Sequence, residues 1–132
     1  MNVLKGNIAE IRTNGELSIV RINVAGHLLS SIVIDTPNTA SYLFEGGEVK
    51  VIFKETEVII ASGSTKGISL RNKFKGQVVR IDSDILLSKL AIETPVGIIT
   101  SIITSNAVKE LNISEGSQVT AMVKTNELIL SQ

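Results

Sequence analysis

The chain matches itself. Displaced by seventy positions without a gap, Asn2, Lys5-Gly6, Leu17-Ser18, Ser31-Ile32, Glu45-Gly46, Lys54 and Glu57 fall on Asn72, Lys75-Gly76, Leu87-Ser88, Ser101-Ile102, Glu115-Gly116, Lys124 and Glu127. With Ile11/Ile81, Ile22/Ile92, Val49/Val119 and Ile59/Ile129 added, roughly 15 of about 60 aligned positions are identical, and most others exchange one aliphatic residue for another. Such conservative exchange preserves a core, so the chain reads as two copies of one small fold. A copy of roughly 60 to 65 residues buries only about 60% of its unfolded surface and is marginal alone. The copies are therefore expected to pack on each other or on other chains.

Apolar residues make up 43% of the chain and mean hydropathy is +0.30, yet no apolar run approaches the ~18 residues that span a bilayer. No membrane association is expected, and the surplus apolar surface points to subunit interfaces. Cysteine is absent, which excludes a disulfide framework and a thiolate metal site. The amino terminus lacks the basic-then-apolar layout of a signal peptide, so a cytoplasmic location is expected. Net charge is zero, tryptophan is absent, and the aromatics are Tyr42, Phe44, Phe53 and Phe74. Nucleic-acid binding needs a basic surface and, for single strands, aromatic stacking platforms, so it is disfavoured.

In the first copy, residues 8–13 read as a strand, Asn14-Gly15 as a hairpin turn, and 17–24 as an alternating second strand. Residues 28–34 form a third. Residues 36–44 read as a short helix with Asp35 or Thr36 as N-cap and Pro37 at its first position; 49–54 and 58–61 complete five strands. The second copy repeats this order at 76–81, 86–93, 98–104, a helix over 106–111, 118–124 and 128–130. Five strands with a helix between the third and fourth is the order of an OB-type Greek-key barrel. The expected fold is all-β with one short helix per repeat: two tandem OB-like five-stranded Greek-key barrels, residues 1–62 and 69–132, joined by a small, polar linker over 63–68.

Enzyme signatures are missing. His27 is the only histidine, no P-loop or dinucleotide fingerprint occurs, and Asp82-Ser-Asp84 lacks the glycine and glutamate of a calcium loop and reads as a hairpin turn. His27 reads as an edge-strand residue without a site. The informative stretch is Ser69-Leu-Arg-Asn-Lys-Phe-Lys-Gly76, where a hydroxyl, a guanidinium, an amide and two ammonium groups gather just before a strand. Such donors suit a tetrahedral oxyanion, with Arg71 offering planar bidentate contacts; the plainer reading is a solvated basic linker.

Ser69-Leu-Arg-Asn-Lys-Phe-Lys-Gly-Gln-Val78 resembles the Ser-Ala-Arg-Asn-x-x-x-Gly-x-Val opening of the molybdate-binding Mop domain, found in molbindins and in the effector half of bacterial molybdate-responsive regulators. The similarity continues over residues 100–124, which resemble the family's Ile-Thr-x-x-Ala-x-x-x-Leu, Glu-Gly and Val-Lys stretch. It covers the second copy and, more weakly, the first, so the chain resembles a tandem (di-Mop) molbindin. The resemblance implies a non-catalytic protein that binds molybdate or tungstate for storage, buffering or sensing, with anions held between Mop domains of a homo-oligomer, a trimer being favoured. No organic cofactor and no metal ligated directly by the protein are expected, because molybdenum in molybdate already carries four oxygens.

Carried over by position, the resemblance assigns the Ser69 hydroxyl, the Leu70 backbone, Arg71 and Asn72 to one side of the anion. Thr104, Ser105 and Ala107, at a helix start, go to the other side, and Lys124 supplies charge. Thr104 reads equally as a helix N-cap, and Lys124 alone as an ordinary exposed lysine. The first copy departs from the motif: Met1-Asn2 stands where Arg71-Asn72 stands, Ile34 replaces Thr104 and Pro37 replaces Ala107. Only Asn2 and Lys54 persist there as weaker candidates. No winged-helix segment precedes Met1, so the chain is not expected to read DNA. A rival expectation is a regulatory module that docks to a transporter ATPase or a regulator without binding an anion.

Overall fold

The computed structural model describes all residues, 1–132. Its strands are β1 (Asn2–Asn14), β2 (Leu17–Val24), β3 (His27–Val33), β4 (Glu48–Phe53), β5 (Ile59–Ala61), β6 (Asn72–Ser83), β7 (Leu87–Thr94), β8 (Gly97–Thr104), β9 (Gln118–Val123) and β10 (Ile129–Ser131). One helix, α1 (Ser105–Glu110), precedes β9, and single 3-10 turns occupy Glu55–Glu57 and Thr125–Glu127. The molecule is mostly β, two five-stranded curled sheets, in agreement with the all-β expectation.

The first strand of each repeat is longer than the alternation at 8–13 and 76–81 suggested, because it changes partner midway. Asn2 to Asn7 pair with β4, and Asn7 to Asn14 pair with β2, with a bulge between Ile8 and Glu10. β6 repeats this on β9 and β7, with its bulge between Val78 and Arg80. A bulge inserts one unpaired residue and increases local twist, which lets one strand serve two walls of a curled sheet. Gly6 and Gly76 lie where the bend brings backbones together: a Cβ on Gly76 would collide with the Glu93 carbonyl oxygen, and one on Gly6 with that of Asn23.

Sheet membership does not follow the repeats. The strand orders are β10-β4-β1-β2-β3 and β5-β9-β6-β7-β8, so each repeat lends its last strand to the other's sheet. Ile129, Leu130 and Ser131 pair with Ile52, Val51 and Lys50, while Ile59, Ile60 and Ala61 pair with Met122, Ala121 and Thr120. Accordingly, 23 buried apolar residues from both repeats form one cluster, with Phe53 and Phe74 both fully enclosed. Two marginal units thereby share one core, as their size required.

The helix expected over 36–44 does not form. Residues 36–44 are a run of turns in which Ala40 N–H reaches the Thr36 carbonyl for a single helical turn. The Thr39 hydroxyl accepts from Thr36 N–H (2.7 Å) and donates to the Asp35 carboxylate (2.9 Å). Short polar side chains here compete with the helical ladder. In the second repeat Ser-Asn-Ala-Val-Lys-Glu lacks that competition and α1 forms, starting at Ser105.

Candidate functional site

The basic stretch expected just before a strand is in part the strand itself. β6 starts at Asn72, and burial alternates along it: Asn72 and Phe74 face inward, Lys75 faces solvent. Asn72 is 1% exposed. Its Oδ1 accepts from Ser30 N–H (2.8 Å), and its Nδ2 donates to the carbonyls of Ser30 (2.9 Å) and Val123 (3.1 Å). Both amide hydrogens are therefore committed to backbone, and Asn72 acts as a clamp between repeats. Asn2 does the same on β8, accepting from Thr100 N–H (2.8 Å) and donating to the Thr100 carbonyl (2.9 Å).

Arg71 and Lys124 are the residues immediately outside the last paired positions of the β6–β9 ladder, Asn72 and Val123. Antiparallel pairing sets them side by side at the ladder's end. Both are exposed, and neither takes part in any of the three ion pairs of the chain. The Arg71 guanidinium folds back on the carbonyls of Ser69 and Ile68, while the Ser69 hydroxyl is exposed and Leu70 half-buried. The linker before them is tied down by Lys73, whose Nζ donates to the Thr65 carbonyl (2.7 Å).

Thr104 caps α1: its hydroxyl oxygen accepts from Ala107 N–H (3.0 Å). As an acceptor in that bond it keeps its own proton free to donate. Ser105 is used internally, its Oγ donating to the Asp84 carbonyl (2.7 Å) and sharing a bond with Ser88 Oγ (2.8 Å), while its N–H reaches the Leu86 carbonyl. Of Thr104, Ser105 and Ala107, Thr104 alone presents an exposed, uncommitted side-chain donor.

The structure thus brings together Ser69, Leu70, Arg71, Asn72 and Lys124, and separately Thr104, Ser105 and Ala107. The groups flank opposite ends of β6: Arg71 precedes its first residue, whereas Ser105 connects through Ser88 to Ser83, its last. The strand between them is twelve residues long at a rise of roughly 3.3 Å per residue. In the first repeat Lys54 stands just beyond the Asn2–Phe53 pair, and Asn2 is bound to Thr100 in the middle of β8.

In the first repeat the place of Thr104 and Ser105 is taken by Ile34, 80% exposed, and Asp35. The Asp35 charge and, more strongly, burial push the Tyr42 hydroxyl above its ordinary pKa. A carboxylate there opposes anion binding. His27 opens β3, with Nε2 3.2 Å from the Lys73 carbonyl and its ring stacked on Phe74 at 5.8 Å, a packing position between repeats.

Sequence reasoning missed the serines that join the halves. Ser31 Oγ donates to the Leu128 carbonyl (2.8 Å) and Ser101 Oγ to that of Val58 (2.9 Å). The signal was present: Ser31-Ile32 and Ser101-Ile102 coincide in the repeat alignment, and a hydroxyl on an apolar strand needs a partner.

Comparison with known proteins agrees with this architecture. Residues 68–130 match the TOBE domain. Over 64 residues the chain is 38% identical to molybdenum-pterin-binding protein 2 of Clostridium pasteurianum, covering 48% of this chain and 94% of that protein. It is 29% identical over 109 residues to the molybdenum-pterin-binding protein MopB of Rhodobacter capsulatus, covering 80% of this chain and 40% of MopB. A molybdate-bound crystal structure of the cytoplasmic molybdate-binding protein ModG superposes with a TM-score of 0.89 at 26% identity, covering 98% of this chain and 94% of that one. With a repeat matched over almost the whole of a short Mop protein, and both repeats matched in ModG, the chain belongs to the Mop family of molybdenum-pterin-binding proteins, in tandem form.

Proposed function

We propose that this protein is a cytoplasmic, non-catalytic binder of the molybdate or tungstate oxyanion, serving storage, buffering or sensing. The observation that carries the reading is the pair of exposed cations without acidic partners, Arg71 and Lys124, side by side beyond the Asn72–Val123 pair. The Ser69 hydroxyl lies two residues before Arg71, and Thr104 has a proton to give. A dianion leaving water needs several donors and near-compensating charge, since an unpaired buried ion costs several kcal/mol. Two cations with hydroxyl and backbone donors meet that need. Membership of the Mop family and the likeness to molybdate-bound ModG support it.

Because the Arg71 group and the Thr104 group flank opposite ends of β6, one anion touched by both takes them from different chains of a homo-oligomer, for which a trimer is favoured. Asn72 organises the site rather than donating to the anion. Native mass spectrometry of the chain titrated with molybdate, with sulfate as control, tests the proposal. Discrete molybdate adducts on a defined oligomer, absent with sulfate and lost in the Arg71→Ala/Lys124→Ala double variant, are expected. Equal binding by parent and double variant overturns the assignment of these residues, and uptake of neither anion by the parent favours the docking-module alternative.

A further inference from the structure

Asn14-Gly15 is the only Asn-Gly step in the chain; every other asparagine is followed by a residue with a side chain. The step stands at the end of the β1–β2 hairpin, with Asn14 paired to Leu17 and both Asn14 and Gly15 exposed. Its two reactive groups are free. The Asn14 side chain makes no hydrogen bond, whereas those of Asn2, Asn7, Asn23, Asn72 and Asn106 are held by protein partners. The Gly15 N–H is likewise without a partner, and nothing lies within 4 Å of the place a Cβ would take. An unobstructed backbone nitrogen therefore follows directly on an unengaged carboxamide.

The second repeat shows the same turn in a different chemical state. At the shift of seventy the step is Asp84-Ile85. Asp84 N–H donates to the Leu87 carbonyl (2.9 Å), matching the pairing of Asn14 with Leu17, and Asp84 Oδ1 accepts from the Ile85 N–H (2.8 Å). There a carboxylate caps the backbone nitrogen that the first repeat leaves bare. The fold thus accepts aspartate at this position and gives it a hydrogen bond that Asn14 does not make.

We propose that Asn14-Gly15 is a site of spontaneous covalent modification, at which Asn14 deamidates through a succinimide. The Gly15 nitrogen gives its proton to hydroxide and attacks the Asn14 side-chain carbonyl carbon. A C–N bond forms, the ring closes, and the side-chain nitrogen leaves as ammonia. Water then opens the ring at either carbonyl and leaves aspartate or isoaspartate at position 14. The balance is one water in and one ammonia out, with no oxidant and no cofactor. Strand pairing slows closure relative to the unfolded chain, and local opening of the hairpin end admits it. The products differ in effect. Aspartate reproduces the state seen at Asp84, whereas isoaspartate routes the main chain through the side-chain carbon and lengthens it by a methylene. The misfit falls on Ser18, 1% exposed, whose Oγ bonds Thr13 Oγ1 (2.9 Å) and the Asp35 carbonyl (2.6 Å). The inference does not depend on anion binding.

Trypsin cleavage after Arg12 and Arg21 releases a peptide in which Asn14 is the only side-chain amide. Mass spectrometry of that peptide tests the proposal, with the full chain aged in warm, mildly alkaline buffer and an unaged sample digested identically. The amide-to-acid mass gain is expected to accumulate there ahead of every other asparagine, as two chromatographic forms, and faster still in chain aged in urea. Asn14→Asp should match one of the two forms and unfold at the parental urea midpoint. Gly15→Ala should slow the gain several-fold; should that variant lose its fold, Asn14→Gln replaces it and should abolish the early gain. A parent peptide that gains no acid, one outpaced by another asparagine, or a substituted chain that reacts at the parental rate overturns the proposal.

Discussion

Asn72 and Ser30 exchange two hydrogen bonds across the repeat boundary, Ser30 N–H to Asn72 Oδ1 at 2.8 Å and Asn72 Nδ2 to the Ser30 carbonyl at 2.9 Å. The side-chain amide thus satisfies the β3 backbone as a strand neighbour would. Asn2 and Thr100 repeat the arrangement on the opposite side.

Asn72→Ala removes that clamp and leaves buried backbone groups without partners, at a cost of about 1–3 kcal/mol. Urea unfolding should show a lower midpoint. Asn72→Asp should be worse than alanine, since it exchanges two donors for a buried charge, and an unaltered midpoint for both would contradict the clamp.

Gly76→Ala should destabilise by about 1–3 kcal/mol, because its Cβ would meet the Glu93 carbonyl, which is backbone and cannot rotate away. Gly15→Ala meets nothing within 4 Å, but its φ of +64° strains any side chain, so a smaller loss of about 1 kcal/mol is expected there. Thermal denaturation of the two variants should rank them in that order.

Tyr42 is the only tyrosine and there is no tryptophan, so ultraviolet absorbance reports its ionisation directly. Its midpoint should lie above 10.0, chiefly from burial and secondarily from Asp35. Asp35→Asn should lower the midpoint while leaving it above 10.0. A folded-state value raised above the unfolded one gives stability that is complete below pH 10 and lost as pH climbs through the folded midpoint. The linked destabilisation is therefore alkaline, and a midpoint at or below 10.0 would refute the account.

Deleting β10 with the chain after Leu128 should loosen the first repeat, not the second. Hydrogen exchange should accelerate at Lys50, Val51 and Ile52, which pair with Ser131, Leu130 and Ile129. Protection lost instead in β9 would be inconsistent with exchanged closing strands.

Thr104→Ala should cost about 1 kcal/mol through loss of the Ala107 N–H cap, whereas Thr104→Ser keeps the cap oxygen. If the hydroxyl also donates to molybdate, calorimetric titration will show weaker binding for alanine and near-parental binding for serine.

The sequence by itself determined the duplication, the strand order within each repeat and the hairpins, and offered the Thr104 cap as one of two readings, because these rest on local spacing: alternation along a strand, a turn between two strands, a hydroxyl three residues before an amide. It also exposed the donor-rich stretch ending at Gly76. Only the tertiary structure decided that Asn72 is a clamp, that the Arg71 and Thr104 groups flank opposite ends of β6, and that the first repeat's helix dissolves into turns around Thr39. It alone decided where β5 and β10 go. A closing strand of three residues carries too little pattern to distinguish its own repeat's edge from a near-identical edge next door, and the choice follows from which edge lies within reach once the long strands have curled.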